Sequence, residues 1–329
     1  MQKIVKLIPT FLTCAIVIAL NACSSGDPSN DLSGRGDVGD LTSTVSDPSF
    51  KPGTISISIT DAAVDSAQEV WVQFTGVTIQ PSNGDAIEFT FDSVKNIDLL
   101  SLQGTLSTDL IDDEVILPGN YDWIRLHVNA NYDSVLDSYI RLDDGSAHEL
   151  NIPSGSQTGL KINTSFELLA TEELNLMIDF DLRKSVVLSA GKYKLRPTLR
   201  MVNLDETNSV TGTIDSSFLT GINCSDADPA TGNSVYIFEG NDIVADDMDK
   251  QNPEPLSSAR VELNSSTGNY EYIIGFIPAG NYTVAFTCQA DLDDPSSNDN
   301  IIFSLTENVT VVADKTDDNE ISPPPNPAR

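Results

Sequence analysis

The clearest strand pattern in the chain is the stretch LNLMIDFDL, residues 174–182. Every second residue in it is apolar, and the residues between them are mostly polar. Side chains of a β-strand point alternately to the two faces of its sheet, so this period of two predicts a strand with one buried face. The same period recurs at residues 55–59, 70–74 and 124–128, and no long stretch has helical periodicity. The chain is therefore predicted to be all-β.

The strands are expected to pair antiparallel, because turn residues separate several of them. The sequence DDGS, residues 143–146, lies between two short strand patterns, and Gly145 can adopt the positive φ of a hairpin turn. A further strand is predicted at residues 193–201. Within it, Pro197 indicates an edge or a bulge, because proline cannot donate a ladder hydrogen bond. These features predict a β-sandwich.

Four short segments between residues 60 and 197 carry a resemblance to a known family. They are Thr60–Ala62, Gly159–Ile162, Ile178–Ser185 and Tyr193–Pro197. Together they resemble the bacterial family called domain of unknown function 4382, over about residues 53–203, and the run DFDLRKS at residues 179–185 is the most specific part. The resemblance implies an envelope lipoprotein with a β-rich domain, which we place at residues 53–204. It carries over no catalytic residues.

A second module is predicted at residues 209–314. Its segments Val210–Ile214, Val235–Phe238 and Phe276–Val284 are similar to the small transthyretin-like or carboxypeptidase-regulatory-like sandwiches, in which a Pro-x-Gly-x-Tyr turn begins a late strand. That resemblance implies a structural spacer or a binding unit. The first domain has a comparable turn at Pro118–Tyr121. The predicted architecture is two antiparallel β-sandwich domains in tandem.

The beginning of the chain resembles a bacterial lipoprotein signal peptide, predicted to be residues 1–22. Lys3 and Lys6 precede an apolar run, Leu7–Leu20, which is too short to cross roughly 30 Å of hydrocarbon. The last residues, LNAC, match a lipobox that ends at Cys23. We therefore expect cleavage before Cys23, acylation of that residue with palmitate-type chains, and attachment to a membrane. The alternative is a plain secreted protein.

By the same resemblance, Ser24 permits sorting to the outer membrane of a Gram-negative cell envelope. Residues 23–52 are rich in Ser, Gly, Asp and Pro, which is typical of a flexible tether. Residues 315–329 contain a Pro-rich run and are predicted to be a disordered tail.

Charge and cysteine content restrict the partners and the compartment. The chain has 49 acidic and 18 basic residues, a net charge of −31, so its surface repels nucleic acid. Of four cysteines, Cys14 leaves with the signal peptide and Cys23 carries the lipid. Cys224 and Cys288 remain as a pair that should form a disulfide in an oxidising compartment. The alternatives are two free thiols or half of a metal site.

The sequence offers little for catalysis. It contains only two histidines, His127 and His148, and it lacks both a Gly-x-Ser-x-Gly motif and a glycine-rich phosphate loop. We therefore predict that the chain is not an enzyme. The expected function is a non-catalytic envelope lipoprotein that displays binding or structural modules to a protein or polysaccharide. The alternative is an envelope hydrolase that acts on glycans through paired carboxylates.

No cofactor is expected, and structural calcium is the alternative to that expectation. Two acidic clusters, Asp291/Asp293/Asp294 and Asp246/Asp247/Asp249, offer the oxygen ligands that calcium prefers. Neither cluster has the spacing of an EF-hand, and Pro295 occupies a ligand position of the first. Solvated acidic loops are the simpler interpretation.

Basic residues concentrate in one part of this acidic chain. Seven lie between residues 161 and 200. Four of them, Lys161, Lys194, Arg196 and Arg200, are candidates for binding an anionic ligand. The alternative is that the residues near 194–200 pair with Asp179 and Asp181 across neighbouring strands, each pair contributing up to about 1 kcal/mol.

Overall fold

The computed structural model describes most of the chain after residue 50. The described ranges are residues 51–62, 67–152, 159–189, 191–196, 198–224 and 226–313. The predicted signal peptide, Cys23, Pro197 and the predicted tail lie outside them, so those predictions stay untested. Among the described residues, no helix is long and apolar enough to cross a membrane.

Strands make up nearly all of the regular secondary structure in the described chain. The strands are β1 Gly53–Ala62, β2 Ala67–Pro81, β3 Ile87–Asp98, β4 Thr108–Ile116, β5 Gly119–Asn129, β6 Tyr139–Leu142, β7 Ala147–Asn151, β8 Leu160–Ile162, β9 Phe166–Leu168, β10 Glu173–Asp181, β11 Val186–Ser189, β12 Lys192–Leu195, β13 Thr198–Asn203, β14 Thr207–Ile214, β15 Ser234–Glu239, β16 Ser257–Arg260, β17 Glu262–Leu263, β18 Tyr270–Pro278, β19 Gly280–Thr287 and β20 Phe303–Val311. One helix of four residues, α1, spans Leu182–Ser185. Short 3₁₀ turns lie at Leu99–Ser101, Leu204–Glu206, Ser216–Phe218 and Ala290–Leu292. The all-β prediction is confirmed.

Strands β1 to β13, the first module (residues 53–203), form two sheets. Sheet I has the order β13-β10-β1-β4, and sheet II has the order β11-β12-β7-β6-β2-β5-β8, with β3 paired to β2 and β9 paired to β5. Their facing side chains form one buried core, in which the ring of Phe74 from sheet II meets that of Phe180 from sheet I edge-on at 6.0 Å. The pairing is mostly antiparallel, as expected, but β1 with β10 and β12 with β7 run parallel.

The polar faces of β1 and β10, the two central strands of sheet I, are also buried, unlike the predicted half-buried strands. In β10, Met177, Asp179 and Asp181 are 1%, 6% and 8% exposed. Ser58 in β1 is 7% exposed and donates a hydrogen bond to Asp109 in β4 at 2.6 Å. A period of two therefore located these strands correctly, but it did not reveal that further chain covers their polar side.

The predicted strand at residues 193–201 is two strands. Residues 192–195 form β12 in sheet II, whereas residues 198–203 form β13 in sheet I. Ser185, at the end of α1, is fully buried and contacts the segment that connects the two strands. Its carbonyl accepts a hydrogen bond from the Arg196 backbone N–H, and its hydroxyl oxygen accepts one from the Thr198 backbone N–H. The chain thus passes from one sheet to the other beside α1.

Strands β14 to β20, the second module (residues 207–311), form two more sheets. Sheet III has the order β14-β18-β17 and sheet IV the order β16-β15-β19-β20. Val210 and Ile274 of sheet III share a buried core with Val235 and Ile237 of sheet IV. All described residues of both modules belong to one compact unit, and the proposed domain boundary between residues 204 and 209 stays a prediction.

The two Gly-Asn-Tyr turns have the same local geometry. Tyr121 and Tyr282 are 2% and 4% exposed, and each hydroxyl donates to a carbonyl four residues earlier, that of Leu117 at 2.5 Å and that of Pro278 at 2.8 Å. Burial of each ring raises the pKa of its hydroxyl. This bond fixes the entry into β5 and β19.

Candidate metal centre and module junction

Two long loops cover the outer face of sheet IV. They are residues 240–256, between β15 and β16, and residues 288–302, between β19 and β20. Because side chains alternate along β15, Tyr236 and Phe238 point away from the core shared with sheet III. Both are buried in a separate cluster with Met248 and Ala290, one from each loop. The apolar packing therefore holds the two loops together over the sheet.

Three aspartates meet where these loops cross. Asp247 comes from the first loop, Asp293 and Asp299 from the second, and one carboxylate oxygen from each lies within 4.8 Å of the others. Asp247 is 1% exposed and Asp293 is 8% exposed. This cluster combines one member of each acidic cluster identified in the sequence.

Hydrogen bonds orient the carboxylates of this cluster. Asp247 Oδ2 accepts from the Asp299 backbone N–H, and both oxygens of Asp293 accept from the Met248 N–H, at 3.2 and 3.3 Å. Asp247 Oδ1 is buried and has no hydrogen-bond partner. Burial raises the pKa of both Asp247 and Asp293, because it penalises the charged form.

The aspartate cluster is connected to the first module through Tyr236. The Tyr236 hydroxyl donates to Asp293 Oδ2 at 2.6 Å and accepts from Nη1 of Arg183 at 2.7 Å. Arg183 belongs to α1 and is 8% exposed. The run DFDLRKS therefore supplies a buried arginine that reaches into the second module.

Arg200 makes a second connection between the modules. It pairs with Asp179 on the neighbouring strand of sheet I, with Nη2 to Oδ2 at 2.7 Å, and its Nη1 donates to the Phe276 carbonyl of β18 at 3.0 Å. The side chains of Arg200 and Asp179 are 19% and 8% exposed. One guanidinium group thus joins sheet I to sheet III.

The backbones of the two modules also touch at Gly104 and Gly275. A Cβ on Gly275 would lie 2.0 Å from the Gly104 carbonyl oxygen. This distance is a steric clash, so any residue other than glycine at position 275 would require the backbone to shift. Beside this contact lies a cleft of about 250 Å³ lined by Asp179, Ser258 and Tyr272 among others. Ligand pockets usually exceed about 300 Å³, so this cleft is small for an organic ligand.

The structure does not bring the four candidate ligand-binding residues into one strip. Lys194 on β12 and Lys161 on β8 lie on strands separated by β7, β6, β2 and β5 in the order of sheet II. Lys161 is exposed, with its Nζ 4.6 Å from the centroid of the Trp123 ring. Arg196 is exposed between β12 and β13, and Arg200 is held in the junction. The predicted pairing across neighbouring strands is present for Arg200 with Asp179.

The predicted disulfide is confirmed. Cys224 and Cys288 are bonded, with Cα atoms 4.9 Å apart, and Cys288 is 5% exposed within the core of the second module. Cys288 follows β19 directly and opens the loop that carries Asp293 and Asp299. The bridge therefore fixes the start of that loop.

Comparisons with known proteins identify the first module only. Residues 52–197 match the family described as domain of unknown function (DUF4382). No curated protein matches the chain. A crystal structure of the minor pilin of the Gram-positive pathogen Streptococcus agalactiae aligns over 83% of this chain and 99% of that chain, with 12% identity and a TM-score of 0.16, which is too weak to carry an argument. The chain therefore contains a DUF4382 domain at residues 52–197.

Proposed function

We propose that this protein is a non-catalytic lipoprotein of the cell envelope, anchored through Cys23 in the outer membrane of a Gram-negative bacterium. Its two modules would be displayed on the tether of residues 23–52 and would bind, or structurally support, an envelope protein or polysaccharide. In this proposal the second module is a transthyretin-like or carboxypeptidase-regulatory-like unit held rigidly against the DUF4382 domain.

The observation that carries this proposal is a pair of arginines at the module junction, Arg183 buried and Arg200 partly buried. Both arginines belong to the first module and donate hydrogen bonds to the second. Arg183 donates to the Tyr236 hydroxyl, and Arg200 donates to the Phe276 carbonyl. Charged side chains are costly to bury unless they are hydrogen-bonded, so these contacts fix one relative orientation of the modules. A rigid pair of sandwiches on a tether suits the presentation of loops to a partner.

The glycan hydrolase is less well supported. Such an enzyme needs two carboxyl groups that flank an accessible sugar bond. The carboxylates with raised pKa values, Asp247 and Asp293, are almost fully buried, so a sugar ring cannot reach between them. The two histidines lie beside hydroxyl groups: His127 is 2.6 Å from the Thr78 hydroxyl and His148 is 3.0 Å from that of Ser146.

Replacing Cys23 with alanine should move the protein from the membrane fraction to the soluble fraction. Two or more acyl chains anchor a protein stably at about 0.8 kcal/mol per buried methylene, and the alanine variant has no thiol to carry them. The measurement is fractionation of cells followed by immunoblotting. Cys14→Ala is the matched control, because Cys14 lies in the predicted signal peptide and should leave anchoring unchanged.

Membrane retention of the Cys23→Ala variant after washing at high salt would contradict the lipid anchor. The binding role is tested separately by crosslinking in intact cells. Adducts of the anchored wild type with an envelope protein or polysaccharide would support the proposal. Hydrolysis of envelope glycans by the purified chain would overturn it in favour of the enzyme.

A further inference from the structure

We propose that Asp247, Asp293 and Asp299 bind one calcium ion, which fastens the two loops over the outer face of sheet IV. This inference does not depend on the proposed envelope function. It concerns a site that no family likeness assigns, and it rests on the arrangement of the three side chains.

The spacing of the three carboxylates suits a single ion. Calcium binds oxygen ligands at about 2.3–2.6 Å, so two oxygens on the same ion lie at most about 5 Å apart. One oxygen from each of the three aspartates lies within 4.8 Å of the other two. The three ligands could therefore contact one ion without moving the loops far.

A buried oxygen of Asp247 that has no hydrogen-bond partner indicates, independently of the spacing, that a ligand belongs in the cluster. Its side chain is 1% exposed, its Oδ2 already accepts a backbone N–H, and its Oδ1 is buried without a hydrogen-bond partner. A buried carboxylate oxygen without a donor loses its hydration and gains no hydrogen bond in return, so such an atom is rare in a stable fold. A cation in the cluster would satisfy it.

The charges in the cluster lead to the same conclusion. Three carboxylates at this spacing repel one another strongly where the surroundings are buried. The Arg183 guanidinium donates to the Tyr236 hydroxyl, which in turn donates to Asp293, so Arg183 brings one positive charge near one side of the cluster. A divalent ion would offset the remaining negative charge and stabilise both loops at once.

The ligand chemistry favours calcium over other metals. The cluster offers only oxygen atoms, which suit hard cations and not zinc or copper. The aspartates come from irregular loops, and calcium tolerates irregular geometry with six to eight oxygens, whereas magnesium demands a near-octahedral arrangement. Hydrogen bonds from the Met248 and Asp299 backbones already orient two of the carboxylates.

The test is calcium binding by the purified full chain after treatment with a chelator. Isothermal titration calorimetry should give one site per chain, with a Kd of about 10⁻⁴–10⁻³ M, the weak end of the range of protein calcium sites. Calcium at about 10 mM should raise the melting temperature by several degrees relative to chelator. Asp247→Asn and Asp299→Asn should each abolish that rise, because each removes a charged ligand.

Asp242→Asn is the matched control. Asp242 lies in the same loop as Asp247, is exposed, and contacts Asn308, so this variant removes one negative charge and should keep the full calcium response. Asp299→Asn serves if Asp247→Asn fails to fold. The proposal is overturned if wild type shows neither binding heat nor a shift, if the Asp247 variant responds like wild type, if the control loses the response equally, or if magnesium at the same concentration gives the same shift.

Discussion

Replacing Arg200 with alanine is expected to lower the free energy of unfolding by about 3 kcal/mol, since breaking a buried ion pair commonly costs 3–5 kcal/mol. The change removes the guanidinium group that pairs with Asp179 at 2.7 Å and that binds the Phe276 carbonyl at 3.0 Å. Asp179 is 6% exposed in the wild type, and the change removes this partner from its carboxylate. Urea denaturation followed by circular dichroism measures the effect.

Arg196 provides the matched control for Arg200. It is an arginine in the same stretch of the chain, but it is exposed, so Arg196→Ala should change the free energy of unfolding by less than about 0.5 kcal/mol. Equal effects of the two substitutions would show that the junction contacts of Arg200 add nothing to stability. Arg200 would then be available again as a ligand-binding residue.

Replacing Cys224 and Cys288 together with serine is expected to cost about 4 kcal/mol, the larger of the two stability effects. The bond closes a loop over a sequence separation of 64 residues, and on the chain-entropy model a loop of this length restricts the unfolded chain by about that amount. Thermal melting of the double variant should therefore start at a clearly lower temperature than that of wild type.

Reducing the disulfide of the wild-type chain gives a second, independent measurement of how much the bond stabilises the fold. Its melting temperature should fall toward that of the double serine variant, whereas the variant itself should not respond to the reductant. A wild-type protein whose melting is the same with and without reductant, while its thiols become fully alkylated, would contradict a stabilising role for the bond.

The sequence predicted the strands well because their alternation is local. Buried positions at every second residue identified β1, β5 and β10, and glycine with positive φ identified the turn at Gly145, which has φ +82°. The polar faces of β1 and β10 could not be assigned, because their burial depends on contacts with other strands that are distant in sequence, such as that of Ser58 with Asp109. The division between β12 and β13 was missed for a related reason: one continuous pattern supplies strands to two different sheets.

The candidate metal centre depends on contacts that sequence spacing does not encode. Asp247 and Asp293 were identified in separate clusters, and Asp299 was not identified at all. They meet because both loops pack on Tyr236 and Phe238, and no local pattern predicts which loops share that surface. The contact of Arg183 with the second module could not be predicted either, because in the alternating pattern of this stretch Arg183 is simply one more polar position.

The most direct test of the two modules as one rigid unit is calorimetric melting of the full chain. Arg183, Arg200 and the Gly104–Gly275 contact join the modules, so they should unfold together. We predict a single transition whose calorimetric enthalpy equals its van't Hoff enthalpy. Two separate transitions, or a calorimetric enthalpy about twice the van't Hoff value, would show that the modules unfold independently and would contradict the rigid junction.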